Sequence, residues 1–131
     1  MKRKILSANY LLPCIMVLCA LFSCSSKTSK KMKTVYCLFE NVKIVDTVKM
    51  EAYKKEVFSI VEKYGGEYVV AGDNIQTIEG NWNPSFLVMI KFPSMEHANN
   101  WYNSEAYRPL KELRQTSGQF NGIIMEGLPL E

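Results

Sequence analysis

The residues best equipped for chemistry in this chain are Arg114, Glu79, His97 and the aromatics Trp82, Trp101 and Tyr107. A guanidinium binds a carboxylate through two parallel hydrogen bonds, so Arg114 is the natural anchor for a small carboxylate ligand. Trp82, Trp101 and Tyr107 could line such a pocket, with Glu79 or His97 at its rim. Ligand pockets are mostly aromatic and apolar with a few polar groups. The competing reading is structural. Trp101 and Tyr107 would then pack helices onto a sheet, and Arg114 would pair with Glu105 or Glu112 on the surface.

Other chemistries find no support. His97 is the single histidine of 131 residues, so no Ser-His-acid set can form around a nucleophile elbow. It sits at the start of a polar helical face, which suits an exposed residue. Gly65-Gly66 lacks the spacing of a dinucleotide or phosphate-binding loop. One histidine cannot combine with the single cysteine of the expected domain, Cys37, into a Cys/His metal site. No pair of acids is marked out by spacing for general acid/base work. No metal or cofactor is expected, and the catalytic residues, if any, are not legible.

The N-terminus sets the compartment. Lys2, Arg3 and Lys4 precede an apolar run from Ile5 to Phe22, diluted by Ser7, Asn9 and Pro13. Leu21-Phe22-Ser23-Cys24 closes it. This resembles a bacterial lipoprotein signal, which implies cleavage before Cys24 and attachment of fatty-acyl groups, palmitate among them, to that residue. Residues 1–23 are then the signal and 24–33 a Ser/Lys-rich tether without periodicity. The folded domain spans 34–131. A signal cut elsewhere and an uncleaved anchor are the alternatives. The absence of an acidic run after Cys24 favours an envelope location facing the periplasm.

Processing changes the charge and cysteine arithmetic. The formal net charge is +3. Losing Lys2, Arg3 and Lys4 brings it to zero, and setting aside Lys27, Lys30, Lys31 and Lys33 takes the folded part to −4. Such a domain has no basic excess for nucleic acid. Cys14 and Cys19 leave with the signal and Cys24 carries lipid. Cys37 alone remains, so no intrachain disulfide can form. The membrane is contacted only through lipid on Cys24.

The elements that must hold these residues follow from pattern. Val35–Val45 is rich in β-branched and aromatic residues and reads as a strand. Asp46 or Thr47 caps a helix whose apolar face is Tyr53, Val57, Ile60, Val61 and Tyr64. Gly65-Gly66 ends it. Glu67–Ala71 is a second strand, extended by Ile75–Glu79 after a turn. Phe86–Phe92 is a central strand. Ser94 caps a short helix carrying Met95, Ala98, Trp101 and Tyr102. Ser104 caps another, from Glu105 to about Arg114, which Pro109 kinks or delays. Phe120–Glu126 is the last strand. The order is βαββαβ: a ferredoxin-like α+β fold, with a four-stranded antiparallel sheet and helices on one face. In the first and third strands both faces are apolar. A homodimer packed sheet to sheet is therefore expected, because the few residues after Glu126 cannot cover the open face.

Tyr64-Gly65-Gly66, Glu79-Gly80-x-Trp82, Phe92-Pro93-Ser94, Trp101-Tyr102-x-Ser104-x-x-Tyr107 and Leu110-Lys111-x-Leu113-Arg114 occur in an order and spacing that resemble domain-of-unknown-function family 1330. The resemblance covers about Val35 to Gly127 and implies the dimeric α/β-barrel fold. It implies no reaction. That superfamily includes antibiotic-biosynthesis-type and haem-degrading monooxygenases. Haem degraders carry an Asn on the first strand, a Trp ending the third and a His in the last helix. Asn41 matches the first, but Phe92 and Lys111 stand at the other two places. An ammonium has no lone pair for iron. Two functions therefore stand: a lipid-anchored binding or structural dimer of the cell envelope, and a small-molecule enzyme of the monooxygenase-like or isomerase-like kind.

Overall fold

The computed structural model describes residues 33–129. Cys24, the signal and nearly all of the tether lie outside the described residues, as do 130 and 131. Seven elements follow in order: β1 (Val35–Ile44), α1 (Thr47–Lys63), β2 (Glu67–Gly72), β3 (Leu87–Phe92), α2 (Met95–Tyr102), α3 (Arg108–Ser117) and β4 (Gly118–Glu126). The strands form one sheet in the order β2-β3-β1-β4, every neighbouring pair antiparallel. This is the expected ferredoxin-like α+β arrangement.

Local chemistry sets the boundaries. The Asp46 carboxylate accepts from Lys49 N at 3.0 Å and caps α1. Gly65, at φ +78°, turns the chain out of that helix. Gly66 then passes so close to the core that a Cβ would lie 2.5 Å from Val61 Cγ1 and 2.7 Å from the Phe92 ring. Ser94 Oγ accepts from His97 N at 3.3 Å and caps α2. α3 starts late, as Pro109 demands: it begins at Arg108, with the proline in its first turn where no N–H is missed. Ser104 instead caps the preceding turn, accepting from Tyr107 N at 3.1 Å.

Residues 75–79 do not extend β2, contrary to the sequence pattern. The β2–β3 ladder ends at Gly72↔Leu87, so no neighbour remains to accept their backbone groups. Ile75 N bonds back to Asp73 O at 2.9 Å, and Thr77 Oγ1 donates to Trp82 O at 2.7 Å, closing a loop between the two strands.

Alternation along β1 puts Val35, Cys37 and Phe39 under the helices. With Ile90, Phe92, Val57, Val61, Trp101 and Tyr107 they build the core. The other sheet face stays open. Register aligns Val70, Met89, Leu38 and Ile123 across all four strands, and Ile123 is 56% exposed. A second row, Glu67–Lys91–Tyr36–Met125, carries a Lys91–Glu67 ion pair of 2.6 Å. After β4, Gly127 N bonds to Thr34 O at 2.7 Å, so the described tail runs beside the start of β1 rather than across this face.

Candidate functional site

α3 presents Leu110, Arg114 and Ser117 to the interior, a stripe at i, i+4 and i+7. Arg114 is thereby only 6% exposed. Its guanidinium carbon lies 4.7 Å from the centroid of Phe39 and 5.4 Å from that of Phe120. Rings on two strands therefore flank the cation. No carboxylate of the described residues comes within 4.0 Å of it, and its Nε finds no acceptor. A buried charge without a carboxylate partner is costly, and such groups concentrate at functional sites. The surface pairing that the sequence allowed does not form. Glu105 pairs with Arg108 instead, one turn earlier and in solvent.

Three phenols gather around this cation. The Tyr107 hydroxyl is fully buried and without a well-formed hydrogen bond, although the Tyr53 hydroxyl and the guanidinium lie close enough to bias its ionisation. Burial raises Tyr53, Tyr68 and Tyr107 above the ordinary tyrosine range, while the Arg114 charge works in the opposite direction. Burial dominates in all three. Each phenol stays protonated at neutral pH and is available as a hydrogen-bond donor rather than as a base.

Arg114 and Phe39 together form a shared wall between two cavities. One, of about 290 Å³, lies between α3 and edge strand β4, against Tyr102, Gln115, Phe120 and Asn121. The other, of about 110 Å³, lies beneath β1, β3 and β2 and is roofed by α1. Met50, Tyr53, Val57, Tyr68, Val88 and Ile90 make most of its apolar lining, and Asn41 adds an amide. The combination of a guanidinium with neutral phenols suits oxygens that only accept hydrogen bonds, such as those of a carboxylate or an enolate.

The other residues singled out from the sequence fall in different places. Tyr107 adjoins Arg114 but packs its ring on Trp101, centroids 4.4 Å apart. Trp101 is fully buried, stacks on Phe92 at 5.3 Å and leaves its Nε1 unbonded. It is core, not cavity lining. Trp82 lies on the opposite face of the sheet, where its Nε1 donates to Glu40 at 3.1 Å beside Leu38 and Ile123. Glu79 is exposed in the β2–β3 loop. His97 is exposed, with Nδ1 2.8 Å from Ser94 Oγ. Neither Glu79 nor His97 lines a cavity with Arg114. Lys111 donates to Tyr102 O at 3.0 Å and covers the Tyr102 ring at 4.4 Å. Sequence reading missed Phe39, Tyr53, Tyr68 and Phe120 as site residues. They come from β1, α1, β2 and β4, and no local sequence signal joins them.

A model of the family described as domain of unknown function (DUF1330) matches residues 34–128. The chain belongs to this family. The DUF1330 description carries no reaction with it. Searching curated proteins with this DUF1330 chain finds no significant match. Among solved structures, a protein of unknown function from Rhodopseudomonas palustris is similar with a TM-score of 0.60 and 16% identity, covering 73% of this chain and 83% of that one. SnoaB, a cofactor-independent oxygenase from Streptomyces nogalater, gives a TM-score of 0.54 at 7% identity, over 73% of this chain and 94% of its own. An ethyl tert-butyl ether d family protein from Bacillus halodurans gives 0.53 at 9%, over 74% and 100%. At these identities the likeness is one of fold, that of the dimeric α/β-barrel proteins.

Proposed function

We propose that this DUF1330 domain binds a small carboxylate at Arg114. The observation that carries the reading is the buried guanidinium itself, without a carboxylate partner among the described residues, set in the wall of two cavities. A bound carboxylate would supply the missing counter-charge and the acceptor for Nε. Screening the full chain against small aliphatic and aromatic acids by thermal shift tests it. At least one acid should raise the melting temperature of the wild type and leave Arg114→Met unmoved. Equal shifts in both proteins would refute the assignment.

The domain acts as a homodimer in this reading, with the open faces of two sheets packed together. The row Val70–Met89–Leu38–Ile123 supports this, because an apolar strip with exposed ends and a half-buried middle favours pairing. A monomeric mass in light scattering at micromolar concentration would remove it. Residues 1–23 act as a lipoprotein signal, and lipid on Cys24 holds the domain in the bacterial envelope, facing the periplasm. The support is the sequence pattern around Leu21–Cys24. Mass spectrometry should find acyl groups on wild-type Cys24 and an unprocessed precursor in Cys24→Ala.

A second reading is a small-molecule enzyme of the monooxygenase-like or isomerase-like kind. It is favoured by the donors around Arg114, since guanidinium and phenol groups of this sort stabilise an oxyanion as it forms. Oxygen uptake or isomer conversion with an acid that binds would support it. Binding without turnover favours the first reading.

A further inference from the structure

The two cavities lie under different parts of the sheet. The larger follows β1 and β4, the smaller β1, β3 and β2, and β1 separates them. The partition is Phe39, whose ring stands beside the Arg114 guanidinium. That ring leans toward β4 because its direct cross-strand partner is Gly122. A Cβ at position 122 would lie 2.7 Å from both Phe39 Cδ1 and Cε1, closer than such contacts allow. The missing side chain of Gly122 thus determines where the partition stands and how wide the smaller cavity is.

We infer that the ligand is a monocarboxylate with a compact apolar tail, its carboxylate at Arg114 and its tail in the smaller cavity, and that Gly122 sets the permitted tail size through Phe39. This rests on the assignment of Arg114 as carboxylate anchor. The smaller cavity is the more apolar one: Met50, Val57, Val88 and Ile90 line it, whereas Gln115, Asn121 and Tyr102 make the lining of the larger more polar. A dry cavity of about 150 Å³ takes up a benzene ring. At about 110 Å³ the smaller cavity accepts a somewhat smaller group, on the order of four or five tail carbons. A residue at 122 that pushed Phe39 off β4 would drive the ring toward β3 and into this space.

The test is calorimetric titration of the full chain with the sodium salts of straight-chain acids from acetate to octanoate. For the wild type, affinity should rise roughly fourfold per added methylene, reach an optimum at about four or five tail carbons and then fall. Gly122→Ala should flatten that rise to less than twofold per methylene while still binding the shortest acids. Phe39→Leu should move the optimum to longer acids, and it decides the matter if circular dichroism shows Gly122→Ala unfolded. An unchanged optimum in the folded variants, or no optimum in the wild type, overturns this inference. If chain length has no effect yet Arg114→Met still abolishes binding, the inference falls and the anchor stands. If no acid binds the wild type, both fall.

Discussion

Replacing Arg114 by methionine should make the unliganded protein more stable while abolishing carboxylate binding. The guanidinium is 6% exposed, lacks an acidic partner among the described residues and leaves Nε unbonded. An unsatisfied buried donor costs about 1–3 kcal/mol, and more when it is charged. Against this stand two cation–π contacts, at 4.7 and 5.4 Å, worth roughly 0.5–2 kcal/mol each. Methionine has similar length and can make sulfur–ring contacts with Phe39 and Phe120, roughly 0.3–1.5 kcal/mol each, which offset most of the lost cation–π energy. The balance favours the variant by about 1 kcal/mol, or about 4–8 °C in melting temperature for a domain of this size. Urea unfolding followed by tryptophan fluorescence, at one fixed protein concentration, measures it. The midpoint should rise with the slope unchanged. A loss of 1 kcal/mol or more at unchanged slope would show that Arg114 is a structural keystone, and the reasoning that makes it a ligand anchor would fail.

Three further outcomes follow from the same geometry. Tyr107→Phe removes a fully buried hydroxyl without a well-formed hydrogen bond, so it should stabilise the free protein by about 1 kcal/mol and weaken acid binding, read by the same melts and titrations. Burial pushes the Cys37 thiol from 9.0 up to about 11. A thiol kept neutral by folding contributes stability that is complete below pH 9 and is lost as pH rises toward 11, by roughly 3 kcal/mol. Cys37→Ala should lose less stability over that interval, which urea midpoints at pH 8 and pH 10.5 would reveal; equal losses in both proteins would contradict it. Ile123→Lys puts a charge at the β4 end of the apolar row, on its most exposed member, and in the proposed dimer should halve the mass seen by light scattering, with the circular dichroism spectrum unchanged.

The fold was legible because its signals are local and agree with one another. Asp46 and Ser94 cap the helices they were expected to cap, Gly65-Gly66 ends α1, and Pro109 delays α3. Residues 75–79 failed for a non-local reason: a strand needs a neighbour, and β3 begins only at Leu87. The site was half legible. Arg114 was recognisable by its chemistry, but its burial was not, since a surface pairing with Glu105 or Glu112 fitted the sequence equally well. Its neighbours were not recognisable, because Tyr53, Tyr68 and Phe39 come from α1, β2 and β1, and only the folded sheet brings them together. Trp82 and Glu79 drew attention as an aromatic and an acid in one loop. The loop in fact delivers Trp82 to Glu40 on the far side of the sheet.

Val35 pairs with Glu126, Gly127 N holds Thr34 O, and Lys33 Nζ reaches Glu126 at 2.9 Å. The chain therefore enters and leaves the domain at one pole. Phe39, Asn41 and Phe120 lie further along β1 and β4, toward the other pole. A domain held from its N-terminal side would stand like a cup on its base, with small molecules arriving from the side turned away from the attachment. Fusing a bulky protein after Gly127 would then crowd the base and leave the mouth open, whereas an insertion near Val42, at the β1 bulge, would block it.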